Sequence, residues 1–159
     1  YYPVQYNLAY NSMKQIKSKF ESMSPLMQVS LVYNGNNFIK TMLRVGAERG
    51  EVSVVSDQIG SPTYTYDLAK IVMDMILSDA YGVYHVTNDG LCSWYEFACE
   101  IFRQAGMDVK VNPLSTGEYP AKAARPYNSR MSKEKLRKAG FCMLPDWRDA
   151  LRRYLCELG

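Results

Sequence analysis

A chain of 159 residues is long enough for one ordinary domain with one sizeable core. Hydrophobic residues make up 47% and charged residues 22%, which excludes an intrinsically disordered chain. No apolar run reaches membrane-span length and no signal peptide is visible, so no membrane partner is expected. The net charge of +3, with Lys and Arg spread along the chain, excludes a multi-point grip on nucleic acid but not a nucleotide-sized anion.

The chain opens on Tyr1-Tyr2-Pro3 without an initiator Met, as expected where residues were removed or where the chain is a piece of something longer. Residues 8–23 read as a helix, with Met13, Ile16, Phe20 and Met23 at helical spacing and Pro25 ending it. "LMQVSLVY" (26–33) reads as a strand and "NGNN" (34–37) as a turn. Asn36 or Asn37 caps the helix of "FIKTMLRVGAER", which Gly50 stops. "EVSVVS" (51–56) alternates as a short strand, and "DQIGSPTYT" (57–65) is a loop broken by Gly60 and Pro62, with Thr65 as helix cap. The helix after it buries Leu68, Ile71, Val72, Met75 and Ile76.

"GVYHVT" (82–87) reads as a strand. Ser93 and Glu96 have the spacing of a capping box, opening a helix with Phe97, Ile101 and Phe102 inward and Gly106 as its stop. "VKVNPL" is a short strand, and Ser132 begins a helix closed by Gly140. From Asp146 on, Trp147, Ala150, Leu151, Tyr154, Leu155 and Leu158 form a helical stripe. Helices alternating with short strands give an α/β or α+β class.

Four cysteines without a C-x-x-C, and a single histidine, His85, argue against a metal site and for a reducing, cytoplasmic setting. Tyr-x-x-x-Lys occurs twice, as Tyr10/Lys14 and Tyr66/Lys70. On a helix this spacing places phenol and ammonium on one face, as a proton donor for ketone reduction requires. By spacing alone each is more simply an aromatic and a solvated lysine on a helix flank. The 10 glycines are scattered, and no segment has the G-x-G-x-x-G spacing that cradles a dinucleotide pyrophosphate. The loop 57–65 offers the neutral hydrogen-bonding groups of Gln58, Ser61, Thr63 and Thr65, while Arg125 and Arg130 flank Asn128. Arg suits a diphosphate, although a surface pair is the commoner explanation.

Taken in order, "NGNNFIKTMLR", "GEVSVVSDQIGSPTYTYDLA", "GVYHVTNDGLCSWYEFACEIFRQAG" and "RPYNSRMSKEKLRKAGF … LPDWRDALRRYL" resemble the C-terminal half of the dTDP-4-dehydrorhamnose reductases, extended short-chain dehydrogenase/reductases. The resemblance runs nearly without gaps from about Asn34 to Leu158. It implies an α/β fold: the tail of a Rossmann-like parallel-sheet domain at 1–33, then a smaller α/β substrate-binding lobe at 34–159. It implies NADPH- or NADH-dependent reduction of the 4-keto group of dTDP-4-dehydro-L-rhamnose, giving dTDP-L-rhamnose.

The resemblance selects Tyr10 and Lys14 as the catalytic pair, both also meeting the cofactor, with Lys14 holding the nicotinamide ribose, and makes Tyr66/Lys70 a decoy. It places the dTDP-sugar against Asn37, Gln58, Gly60, Ser61, Thr63 and Arg125. It allows a homodimer and implies that this chain alone, without a Gly-rich loop, is inactive. "VSLVYN" (29–34) departs from the family's near Thr-Ser-Trp-Val-Tyr-Gly: Leu31 stands for the aromatic against the sugar and Asn34 for the closing Gly. Such drift also fits a non-catalytic, partner-binding relative, like the regulatory subunit of methionine adenosyltransferase, or a decayed gene fragment.

Overall fold

The computed structural model describes residues 37–119 and 125–159. The helix expected at 8–23, the strand at 26–33, the domain division at 33/34, and Tyr10, Lys14, Leu31 and Asn34 lie outside the described residues.

Helix α1, Phe38–Arg49, begins where the Asn37 side-chain oxygen accepts the Lys40 N–H at 2.9 Å. It ends at Gly50, whose φ of 68° is left-handed and whose N–H closes on the Gly46 carbonyl. Strand β1, Glu51–Val55, then alternates, with Glu51 and Ser53 exposed and Val52 and Val54 buried. It pairs in parallel with β4, Lys110–Leu114, from Glu51↔Lys110 to Val55↔Leu114. The intervening crossover holds α2 (Thr65–Ile76) and α3 (Trp94–Gln104), as a parallel pairing requires. The two-residue strands β2 (Ile59–Gly60) and β3 (Cys92–Ser93) pair antiparallel. Two helices close the chain, α4 (Glu134–Lys138) and α5 (Trp147–Leu158).

Helix α3 is the centre of the packing. The Ser93 hydroxyl accepts the Glu96 N–H and the Glu96 carboxylate accepts the Ser93 N–H, so both arms of the expected capping box form. One side of α3 sets Phe97 and Ile101 against Trp147 and Leu151 of α5. The other sets Ala98 and Phe102 against Val52 and Val54 of the sheet. The stripe expected from Asp146 onward is realised, with Trp147, Ala150, Leu151 and Tyr154 buried and Asp146 accepting the Arg148 N–H.

Several expectations are corrected. Residues 82–87 form no strand among the described residues. Their alternation is real, since Tyr84 and Val86 pack against Ile71, Leu136 and Leu144, but no backbone among the described residues completes a ladder and Val83 stays 80% exposed. In α2 only Ile71 of the expected apolar set is fully buried, and Val72 and Ile76 face outward. Tyr64, not Thr65, is the N-cap residue of α2, and its N–H is held by Asn88 Oδ1 at 2.7 Å. Helix α4 begins two residues after Ser132. Lys133 is its N-cap residue and sends its ammonium to the Asn88 carbonyl and the Asp89 carboxylate. Gly60 breaks nothing: it sits in β2 with an ordinary φ.

Gly46 marks the tightest approach of α1 to α3. A Cβ there would lie 2.5 and 2.9 Å from the buried Phe102 ring and 3.1 Å from Val109. In an open helix, Gly→Ala stabilises by about 1 kcal/mol. Here overpacking of a filled core dominates, at about 1–3 kcal/mol. We predict that Gly46→Ala lowers the urea unfolding free energy; a gain would show that α1 does not pack this closely on α3.

Candidate functional site

The parallel pairing of β1 with β4 brings two loops out of the sheet side by side. Ser56 N–H donates to Leu114 O at 2.9 Å, so residues 57–58 meet residues 115–116. Beyond them Ile59 is held on two sides. It pairs with Ser93 of β3, and its backbone exchanges hydrogen bonds with Tyr127 O and Ser129 N at 2.9 and 2.8 Å. Three segments distant in sequence thereby enclose a cleft of about 320 Å³.

Its wall is largely apolar, with Ile59, Pro62, Cys92, Trp94, Phe97 and Met131. Gln58, Ser61, Thr87, Ser93, Ser129 and Arg125 supply the polar groups. A broad apolar surface with a few placed polar groups is the usual constitution of a small-molecule site. A second, more open cleft adjoins it through the shared Ser61 and Met131, and Asp89, Arg130, Ser132 and Lys133 line it. The Lys133 ammonium lies 2.7 Å from Asp89, whose carboxyl that bond holds below its ordinary range. Arg125 and Arg130 make no ion pair among the described residues, and the Arg130 N–H donates to Asn128 Oδ1.

Four of the residues expected to meet substrate, Gln58, Gly60, Ser61 and Arg125, fall together in this wall. Asn37 and Thr63 do not. Asn37 caps α1 and donates to the Tyr154 hydroxyl at 2.6 Å, and Thr63 Oγ1 donates to the Ser61 carbonyl. Ser61 Oγ donates to the Gly90 carbonyl at 2.7 Å. The Tyr66/Lys70 pair has the plain arrangement of a helix flank, the ammonium 4.3 Å from the ring centroid, and neither residue lines the cleft. His85 is exposed on the segment 82–87, its Nδ1 3.3 Å from the Ser132 carbonyl oxygen.

The sequence alone did not point to Thr87, Cys92, Ser93, Trp94, Ser129 or Met131. They join the site through β2–β3 pairing and the 127–129 bridge, for which no local spacing gives a signal.

A nicotinamide dinucleotide finds no cradle among the described residues. The junction from β1 to α2 carries one glycine, Gly60, at which an added Cβ would stay 3.6 Å from its nearest neighbour. The junction from β3 to α3 is closed by the Glu96 carboxylate, which repels phosphate. The described residues form no His/Cys/Asp/Glu group able to hold a metal ion, and none of their helices is long and apolar enough to cross a membrane.

The family model described as "RmlD substrate binding domain" matches residues 14–159. The chain belongs to that family. Among curated members, the spore coat polysaccharide biosynthesis protein SpsK of Bacillus subtilis (strain 168) is 45% identical over 136 residues, covering 84% of this chain and 47% of that protein. The dTDP-4-dehydrorhamnose reductase of Escherichia coli (strain K12) is 39% identical over 146 residues, covering 84% and 49%. Among solved structures, the dTDP-4-dehydrorhamnose reductase of Bacillus anthracis str. Ames, in complex with NADP, superposes with a TM-score of 0.75 at 50% identity, over 80% of this chain and 45% of that one. This RmlD-type chain thus spans about half the length of the curated relatives it matches.

Cys92 is the one thiol in the cleft wall. Burial pushes it up to about 12, with the Glu96 carboxylate adding to the shift. It stays a neutral thiol at physiological pH and is a poor nucleophile. Cys142 and Cys156 are exposed. We predict that iodoacetamide at pH 8 modifies Cys142 and Cys156 first, by peptide mass spectrometry, and leaves Cys92 intact until the protein unfolds. Early modification of Cys92 would show that the wall is open.

Proposed function

We propose that this chain is the substrate-binding portion of a dTDP-4-dehydrorhamnose reductase, and that its cleft holds the sugar and diphosphate of dTDP-4-dehydro-L-rhamnose. The observation supporting this is the convergence of Gln58, Gly60, Ser61 and Arg125 on one cleft. The family resemblance supplies the ligand, and the chemistry of the 57–65 loop and of Arg125 is what singles out those residues to meet it. Neutral groups within suit sugar hydroxyls, and a guanidinium at the rim suits a diphosphate.

In this reading residues 34–159 are the substrate lobe and residues 1–33 the remnant of a dinucleotide-binding domain. NADPH, or NADH, supplies the hydride in the complete protein. Tyr10 gives its phenolic proton to the alkoxide oxygen forming at C4 of the sugar. Lys14 favours the phenolate that remains, since an unperturbed phenol titrates only near ~10. The protein works in a soluble, cytoplasmic setting in this reading, with a homodimer as its assembly.

Two expected outcomes test it. Titrating dTDP-L-rhamnose into the ¹⁵N-labelled chain should shift amides at 57–61, 87–94 and 125–131. Affinity should be weak, ~mM or about −4 kcal/mol, because only part of the complete protein's cleft is present. The same sample should leave NADPH unoxidised when given the keto sugar. Shifts scattered over the surface, or none, would overturn the assignment. In a protein carrying this segment together with a dinucleotide-binding half, Tyr10→Phe should lower kcat by roughly two to four orders of magnitude, the scale of a positioned acid. Tyr66→Phe should leave it nearly unchanged. Equal losses would remove Tyr10 from the role.

A further inference from the structure

Thr116 lies 58 residues from Gln58 in sequence, yet the two side chains meet. The parallel register of β1 with β4 is the cause, because it delivers residues 57–58 and 115–116 from the same end of the sheet. There the Asp57 carboxylate receives the Thr116 backbone N–H at 2.9 Å and the Thr116 hydroxyl at 2.6 Å. The same hydroxyl oxygen lies 3.1 Å from Gln58 Nε2.

The polarity of this chain of bonds follows from proton counting. A carboxylate only accepts, and a hydroxyl has one proton to give. The bonds from Thr116 hold the Asp57 carboxyl below its ordinary range, the hydroxyl bond contributing most, so it is ionised at neutral pH. The Thr116 proton is therefore committed to Asp57, and its oxygen has only lone pairs left for Gln58. Gln58 must answer with its N–H₂. Turning the amide over would face two acceptors at hydrogen-bond distance and leave the Thr116 oxygen without its donor. Gln58 is buried and lines the cleft, and no described residue donates to its Oε1.

We propose that Asp57 and Thr116 are positioning residues that fix the Gln58 amide with Oε1 presented to the cleft, so that this point selects an uncharged ligand group that donates a hydrogen bond. A sugar hydroxyl or a base imide N–H satisfies it; a phosphate or carboxylate oxygen is repelled. The ligand's identity rests on the functional reading above, whereas the orientation of the amide does not.

The experiment uses the ¹⁵N-labelled 159-residue chain and its Thr116→Val, Thr116→Ser and Asp57→Asn variants. In ligand-free spectra Thr116→Ser keeps the Gln58 side-chain N–H₂ signals near their wild-type positions, and Thr116→Val moves them. dTDP-L-rhamnose binds Thr116→Val about tenfold more weakly than wild type, and Thr116→Ser within about twofold, the scale of one hydrogen bond. Asp57→Asn, which frees the Thr116 hydroxyl to turn toward Gln58, weakens binding in the same direction and carries the test should Thr116→Val fail to fold.

Thymidine diphosphate and its N3-methyl analogue separate the two donors. A Thr116→Val loss that N3-methylation abolishes assigns the imide, and one confined to the sugar nucleotide assigns a sugar hydroxyl. Equal binding by wild type and Thr116→Val, or a Thr116→Ser as weak as Thr116→Val, overturns the inference. Wild-type protein that binds none of the three ligands overturns the functional reading instead. The Gln58 signals then judge the inference alone, and it falls if Thr116→Val leaves them in place.

Discussion

The ion pair of buried Asp67 with half-buried Arg153 holds the loops of the cleft to the rest of the fold. The guanidinium is bidentate on the carboxylate, at 2.8 and 2.7 Å, and its Nε reaches Asp149 within α5. Asn88, fully buried, donates to the same carboxylate at 2.8 Å and to the Pro145 carbonyl at 3.0 Å, while its own oxygen takes the Tyr64 N–H. Four segments therefore meet on two side chains: the end of the 57–64 loop, the start of α2, the turn at residue 88, and the entry to α5.

Such a pair adds little stability over well-packed apolar residues, since the carboxylate has lost its water and the guanidinium much of its own. Removing the arginine is another matter, because the buried Asp67 carboxylate left behind costs about 3–5 kcal/mol. What the arrangement contributes is uniqueness. An apolar contact tolerates sliding, whereas a forked guanidinium with a shared amide is satisfied in one relative placement of α2 and α5. Thr87 enters the cleft wall as the residue before Asn88, so its position is inherited from this network.

The sequence was legible wherever the determining contact is local. Asn37 before α1, Gly50 after it, Ser93 with Glu96, and Asp146 before α5 act across two to four residues, and each was readable from spacing, Asn37 as one of two candidates with Asn36. The stripe from Trp147 to Leu158 was readable for the same reason. Pairings over long separations left no such trace. Nothing near Gln58 announces Thr116, and nothing near Ile59 announces Tyr127. The misread strand at 82–87 is instructive. Alternation reports that a segment has two unlike faces, and Tyr84 and Val86 do bury one. It says nothing of whether a neighbouring backbone exists to pair with. The four wall residues expected to meet substrate came from the side-chain chemistry of the 57–65 loop and of Arg125 read together with the family resemblance, not from any spacing within the chain.

The cleft has a polarity as well as a shape. Ser61 gives its proton away from the cleft, to the Gly90 carbonyl, and Gln58 gives an N–H to Thr116. Both are left with acceptor oxygens for a ligand. The strong donor in the wall is the Arg125 guanidinium, and Arg130 stands in the adjoining cleft. Trp94, Phe97, Ile59 and Met131 add apolar surface to the same wall. A molecule carrying hydroxyl donors, anionic oxygens and an apolar part finds a partner for each of them here. Which ligand group each polar side chain can meet is thus set by where the protein's own protons are already committed, before any ligand arrives. Those commitments trace back to the β1–β4 register and to the contacts that Asn88 and Asp67 make across the fold.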